Sequence, residues 1–262
     1  GNIMQQVVTE PEVYIETKMK QFKLVDMRQQ YPDLIAEAEM TAMGYQDFLV
    51  RLLSVEEEGK NARRTGKLLG NARFELSATL GEIDYDFNDT LDKEKIEALG
   101  RLQFLDQHEN IIIIGPPGVG KSMIATGIGV NACHAGRSVL FVNAKELVDT
   151  LHAEMISGKL SETLEKLNRI ELLIIDELSY IKMDKERESL FFQIIRQRYE
   201  KSSLIITTNL PMGKWDELFT GQLAATAILD RVLHHCHVLS ITGDSYRVKG
   251  SKNSVNRRIG IG

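Results

Sequence analysis

Apolar positions change their period along this chain, recurring at helical spacing over residues 11–80 and gathering into short continuous runs after residue 110. Leu34, Ala38, Ala42, Tyr45, Phe48, Leu49, Leu52 and Leu53 fall mostly three or four apart and predict one apolar helical stripe. The Tyr31-Pro32 step is expected to end the preceding helix, because proline disfavours helical backbone in the residue before it. Gly44 with Asp47 three residues on reads as an N-cap. The Glu56-Glu57-Glu58 run ahead of Lys60 reads as a solvated helix face carrying an i,i+4 pair. Residues 81–92 read as a linker. Beyond it, strand candidates at 111–114, 138–142, 171–175, 203–208 and 237–241 alternate with helical stretches, the βαβ pattern of a parallel sheet. The expected fold class is therefore α/β, with a small all-helical domain over 1–80, a linker and entry segment over 81–109, and a nucleotide-binding domain over 110–262.

The bulk numbers narrow the picture little. Hydrophobic content of 43% and charged content of 26% over 262 residues are ordinary for a globular chain. No apolar run reaches the length needed to cross a membrane, and no basic-then-apolar leader opens the chain, so a cytoplasmic location is expected. Cys133 and Cys236 stand about a hundred residues apart, too sparse for a disulfide framework or a cysteine zinc site. The net charge of −5 hides segregation. Lys60, Arg63, Arg64, Lys67 and Arg73 form one acid-free basic stretch, and Arg247, Lys249, Lys252, Arg257 and Arg258 form another. Such clustering matters more for nucleic acid than the sum does.

The chemistry lies where the strands end. The run Ile111–Ile114 leads directly into Gly115-Pro116-Pro117-Gly118-Val119-Gly120-Lys121-Ser122, with Met123 beginning an apolar helix. The G-x-x-x-x-G-K-[ST] spacing wraps backbone N–H groups around polyphosphate at a helix N-terminus. Lys121 can reach the β- and γ-phosphates, and the Ser122 hydroxyl can ligate Mg²⁺. A second apolar run, Leu172–Ile175, ends in Asp176-Glu177. Asp176 is placed to hold the Mg²⁺ hydration shell, and Glu177 to orient and deprotonate an attacking water. A third run, Leu204–Thr208, ends in Asn209, which can hydrogen-bond that water or the γ-phosphate. Arg231, ahead of the last strand, can act in trans on a neighbour's γ-phosphate or simply pair with an acid such as Asp230.

The order of these four motifs resembles an AAA+ ATPase of the initiator and helicase-loader clade, and more closely the IstB family of insertion-sequence transposition helpers. The resemblance runs through most of the chain. It includes Gly44–Leu49, Leu172–Tyr180, Arg198-Tyr199-Glu200, Thr208–Pro211 and Trp215, then Asp230–Val238 and Gly243–Arg247. It implies Walker A roles for Lys121 and Ser122, Walker B roles for Asp176 and Glu177, a sensor role for Asn209 and an arginine-finger role for Arg231. Arg247 is implied as a second sensor-like arginine. The family implies assembly on and deformation of duplex DNA with ATP, recruitment and activation of a partner transposase, and self-association through the helical domain. Ser179 stands where the family usually has glycine. The residues after the last strand are too few for a full C-terminal lid, so Tyr85 or Phe87 either packs on the adenine or makes an ordinary domain-joining contact.

Three further expectations complete the reading. His234-His235-Cys236-His237 is expected to pack structurally, since consecutive residues entering a strand face opposite ways. Two helices are expected over residues 145–169, joined near Ser157-Gly158-Lys159. The resemblance implies that an extra helix in this region faces DNA inside a ring, which makes Lys145 and Lys159 candidate DNA contacts beside Arg63, Arg64 and Lys67, with a solvated basic face as the alternative. A replicative helicase loader and a metabolic P-loop kinase are the rival functions. The absence of cysteine near the N-terminus weakens the first, and the separate Asp176-Glu177 strand weakens the second.

Overall fold

In a computed structural model, residues 10–179 and 182–242 are described. Tyr180 and all residues from Gly243 onward, including Arg247 and the segment on which the expectation of no full lid rests, lie outside them. The chain divides into two compact units at Gly66/Lys67.

The first unit holds α1 (Pro11–Gln21), α2 (Val25–Thr41) and most of α3 (Tyr45–Ala72). Three expectations need correction here. The helix does not stop at Pro32: α2 runs through it, and Pro32 sits on the exposed face, where water can serve the carbonyl that loses its donor. The single stripe is in fact two. Ala42 closes α2 in the left-handed conformation (φ 50°), after which Tyr45, Leu49 and Leu53 of α3 lie exposed. Nor is Glu56 on a solvated face. It is buried, and its Oε2 accepts the backbone N–H groups of Asp26 (2.8 Å) and Met27 (3.0 Å). A glutamate from α3 thus serves two donors that the first turn of α2 leaves without intrahelical partners.

The second unit is built on a five-stranded parallel sheet, in the order β2-β3-β4-β1-β5. The strands are β1 (Asn110–Ile114), β2 (Val139–Asn143), β3 (Leu172–Asp176), β4 (Ser203–Thr208) and β5 (Cys236–Ser240). The apolar runs of β1, β3 and β4 are buried on both faces, as a central parallel strand requires. Ile112, Leu173, Ile175, Leu204 and Ile206 pack under α7 (Ala144–Ile156), α8 (Leu160–Arg169), α9 (Lys185–Arg198) and α10 (Gln222–Leu233). Ile111, Ile113, Ile174 and Ile205 pack on the other side against α6 (Lys121–His134). The stretch expected to be a linker belongs to this second layer. Residues 81–109 contain α4 (Lys93–Gly100) and α5 (Gln103–Asp106), and they bury Ile83, Leu91, Ile96, Leu99, Phe104 and Leu105. Its acidic, turn-rich opening concealed a set of core residues.

Arg198 closes the lower end of the sheet. Its side chain is fully buried and donates to the carbonyls of Leu167, Ile170, Glu171 and Ser203, tying the end of α8 to the starts of β3 and β4. Burial lowers its pKa to about 10. Arg198→Leu removes every one of these donors at once. It is expected to cost about 3–5 kcal/mol, within the range for breaking a buried charged network. Urea unfolding followed by circular dichroism checks this.

Candidate active site: a phosphate loop and two strand ends

The carboxyl ends of β1, β3 and β4 converge, as the ligand crevice of an open α/β sheet requires. The loop from Gly115 to Gly120 leaves β1 and feeds the N-terminus of α6. Gly120 takes φ 101°, a conformation closed to most side chains. A Cβ on Gly115 would lie 2.9 Å from the Ile241 carbonyl, so the loop can pass β5 only as glycine. Lys121 is nearly buried and donates to the Pro116 carbonyl at 2.8 Å. Desolvation lowers its pKa, opposed by the charges of Asp176 and Glu177.

Opposite the loop, the Ser122 hydroxyl lies 2.8 and 3.0 Å from the two carboxylate oxygens of Asp176. A hydroxyl beside a buried carboxylate is a hard-oxygen donor set that suits Mg²⁺. Thr207 Oγ1 donates to Asp176 Oδ1 (2.6 Å) and accepts the N–H of Glu177 (2.9 Å). That second bond anchors Glu177 in left-handed backbone (φ 57°), which costs a non-glycine residue about 1 kcal/mol or more and must be held by its surroundings. The Glu177 carboxylate then receives the amide of Asn143 (Nδ2 to Oε2, 3.1 Å). Asn143 ends β2 and caps α7, accepting from Lys145 and Glu146 N–H. Sequence reasoning missed it, although an apolar run ending in a polar residue was the signal that found Asp176 and Asn209.

Asn209 follows β4, its backbone N–H bonded to Ser179 Oγ at 2.7 Å. The site therefore gathers Lys121, Ser122, Asp176, Glu177 and Asn209, but not Arg231. The Val232 carbonyl accepts Asn110 Nδ2 (3.0 Å), which puts the end of α10 beside the start of β1. The phosphate loop leaves the other end of that strand, roughly 13 Å away at about 3.3 Å per residue. The Arg231 guanidinium lies over the Phe192 ring, 4.9 Å from its centroid, rather than on Asp230.

The remaining sequence candidates have the following neighbours. Tyr85 packs against the core layer with Lys93 Nζ 5.6 Å above its ring, and Phe87 donates its N–H to Asp84. Arg63, Arg64 and Lys67 are exposed and recur along α3 at helical spacing, Arg63 bridging to Asp26 at 2.7 Å. Lys145 pairs with Asp149 at 2.9 Å, and Lys159 is exposed. His234 and His235 do not face opposite ways. His235 takes left-handed backbone (φ 57°) before the strand begins, bringing its ring 4.1 Å from that of His234 and both within reach of Glu200. All three are exposed. Among the described residues, no helix is long and apolar enough to cross a membrane.

Fold and site together define an ATP-binding protein of the AAA+ class. The chain belongs to the family of IstB-like ATP-binding proteins, whose profile matches residues 17–254. It is 36% identical to the ATP-binding protein of insertion sequence IS21 from Pseudomonas aeruginosa over 92% of this chain and 91% of that protein. It is 37% identical to the corresponding protein of IS232 from Bacillus thuringiensis subsp. berliner, over 90% and 94%. The fold is shared with DnaI (TM-score 0.52, 22% identity, 64% of this chain and 89% of that one). It is also shared with the replication initiator DnaA bound to AMPPCP and single-stranded DNA (TM-score 0.56, 18% identity, 71% and 56%).

Proposed function

We propose that this protein hydrolyses ATP between adjacent copies assembled on duplex DNA, deforms that DNA, and recruits and activates a partner transposase. The observation that carries the assembly is the position of Arg231, at the opposite end of β1 from its own phosphate loop. The relatives' place in insertion sequences supports the DNA and transposase parts. The spacing of Arg63, Arg64 and Lys67 along α3 supports phosphate contact by the helical region, which also serves self-association; Lys145 and Lys159 are the corresponding candidates in the second unit.

In this scheme Lys121 and the loop N–H groups hold the polyphosphate. Ser122 and Asp176 would hold Mg²⁺, which would offset phosphate charge. Glu177 takes the proton of the attacking water, Asn209 orients that water or the γ-phosphate, and the neighbour's Arg231 meets the charge that develops on transfer. Tyr85 and Phe87 are candidates for the base, and Arg247 for a further phosphate contact. DNA is held through its backbone, with deformability guiding site choice.

Binding to duplex DNA with ATP, measured across a salt series, tests the reading. Affinity is expected to fall steeply with salt as counterions are released. Salt-insensitive binding, or unchanged binding after charge reversal at Arg64 and Lys67, would remove the DNA part of the proposal.

Asn143 makes a separate prediction. While its amide holds Glu177 Oε2, the base is occupied. Asn143→Asp keeps the oxygen that caps α7 but sets a carboxylate against Glu177. Turnover without DNA is expected to rise by roughly tenfold or more, since a hydrogen bond to a charged group is worth about 1.5 kcal/mol or above. Steady-state phosphate release checks it, and an unchanged rate would count against the holding role.

A further inference from the structure

Ser179 lies two residues past Glu177, and its hydroxyl occupies a specific place between the ends of β3 and β4. It accepts the backbone N–H of Asn209 at 2.7 Å and lies 3.3 Å from Thr208 Oγ1. Thr208 donates its own proton to the Leu178 carbonyl and accepts the N–H of Leu210 at 3.1 Å. The proton on Ser179 must therefore point to Thr208, giving a directed chain from the Asn209 N–H through Ser179 and Thr208 to the Leu178 carbonyl. Ser179 N–H in turn donates to the Glu177 carbonyl at 2.8 Å. One side chain thus joins the turn that carries Glu177 to the residue that follows β4. A glycine there would leave the Asn209 N–H without this acceptor and the Thr208 oxygen without one of its donors.

We infer that Ser179 is a positioning residue for ATP hydrolysis, its hydroxyl setting the place of Asn209 relative to Glu177. The inference rests on the proposed role of Asn209 at the γ-phosphate. Catalytic geometry is sensitive to displacements of about 1 Å, so a tether on the backbone of Asn209 acts on turnover more than on binding. Substrate affinity is set by the phosphate loop, which Ser179 does not touch among its hydrogen bonds.

The test is ATP turnover of Ser179→Ala, Ser179→Thr and Asn209→Ala, with the Ser179→Ala/Asn209→Ala double variant. All are measured on the full chain with duplex DNA, and thermal melting is recorded for each. Ser179→Ala is expected to lower kcat about fivefold to tenfold, the size of one lost hydrogen bond, with KM for ATP within about twofold. Ser179→Thr, which keeps the hydroxyl, is expected to restore most of the rate. The double variant is expected to be no slower than Asn209→Ala alone, as for residues acting through one group. Wild-type kcat in Ser179→Ala, alongside a slow Asn209→Ala, overturns the tether and leaves the role of Asn209 intact. Wild-type kcat in Asn209→Ala overturns the role of Asn209 itself. Additive losses would show that Ser179 does not act through Asn209, and a lowered melting temperature with Ser179→Thr as slow as Ser179→Ala would assign Ser179 to folding alone; either overturns the tether.

Discussion

Glu177→Gln is expected to leave ATP affinity near that of the wild type while slowing hydrolysis at least about a hundredfold, the lower range for loss of a general base. The substitution is nearly isosteric. The N–H of residue 177 still has Thr207 Oγ1 as its acceptor, and the new side-chain oxygen can still take the amide of Asn143. Lys121, Ser122 and Asp176 are untouched. What disappears is the carboxylate that accepts a proton. Fluorescent-nucleotide binding together with single-turnover hydrolysis separates the two effects. The variant is also expected to persist on DNA with ATP. Near-normal turnover would show that Glu177 is not the base.

Arg231→Ala is expected to reduce turnover by about a thousandfold, the lower range for an arginine supplied in trans to phosphoryl transfer. A decrease alone does not say which copy supplies the arginine. Mixing does. Lys121→Ala loses its own site but keeps Arg231, whereas Arg231→Ala keeps its site and lacks the arginine. Each alone is expected to be nearly inactive, and an equimolar mixture is expected to recover a measurable part of wild-type turnover through mixed neighbours. No recovery, with both variants shown to co-assemble, would place Arg231 in its own site or outside catalysis. The guanidinium over Phe192 also bears on the experiment. Alanine removes that stacking contact, so the melting temperature of the variant has to be checked before the loss is assigned to catalysis.

How far the sequence carried depended on whether a feature was local. Every strand lies within one residue of its expected position, because Ile111–Ile114, Leu172–Ile175 and Leu204–Thr208 are short apolar runs buried on both faces and flanked by polar residues or glycine. Gly115–Ser122, Asp176 and Asn209 were legible for the same reason, each being attached to a strand end. Features that depend on a distant partner were not. Glu56 looks like any helix-surface acid until the start of α2 supplies two backbone donors for it. Residues 81–92 read as a linker because acids and turn formers outnumber their apolar residues, yet Ile83 and Leu91 are core. Asn143 meets Glu177, and Ser179 meets Asn209, only because β2, β3 and β4 lie side by side, an order not visible along the chain. The two histidines were read as diverging because the left-handed turn at His235 leaves no mark in the sequence.

The central claim is ATP-dependent assembly on duplex DNA through Arg231. Sedimentation velocity tests it most directly, comparing the wild type with Arg231→Ala on duplex and single-stranded DNA of equal length, with and without ATP, at moderate salt. Large complexes are expected only on duplex and only with ATP, and are lost in Arg231→Ala. Complexes confined to single strands would contradict that claim in favour of a helicase loader. No DNA-dependent complexes on either DNA, with or without ATP, would leave an ATP-binding protein whose target is not DNA.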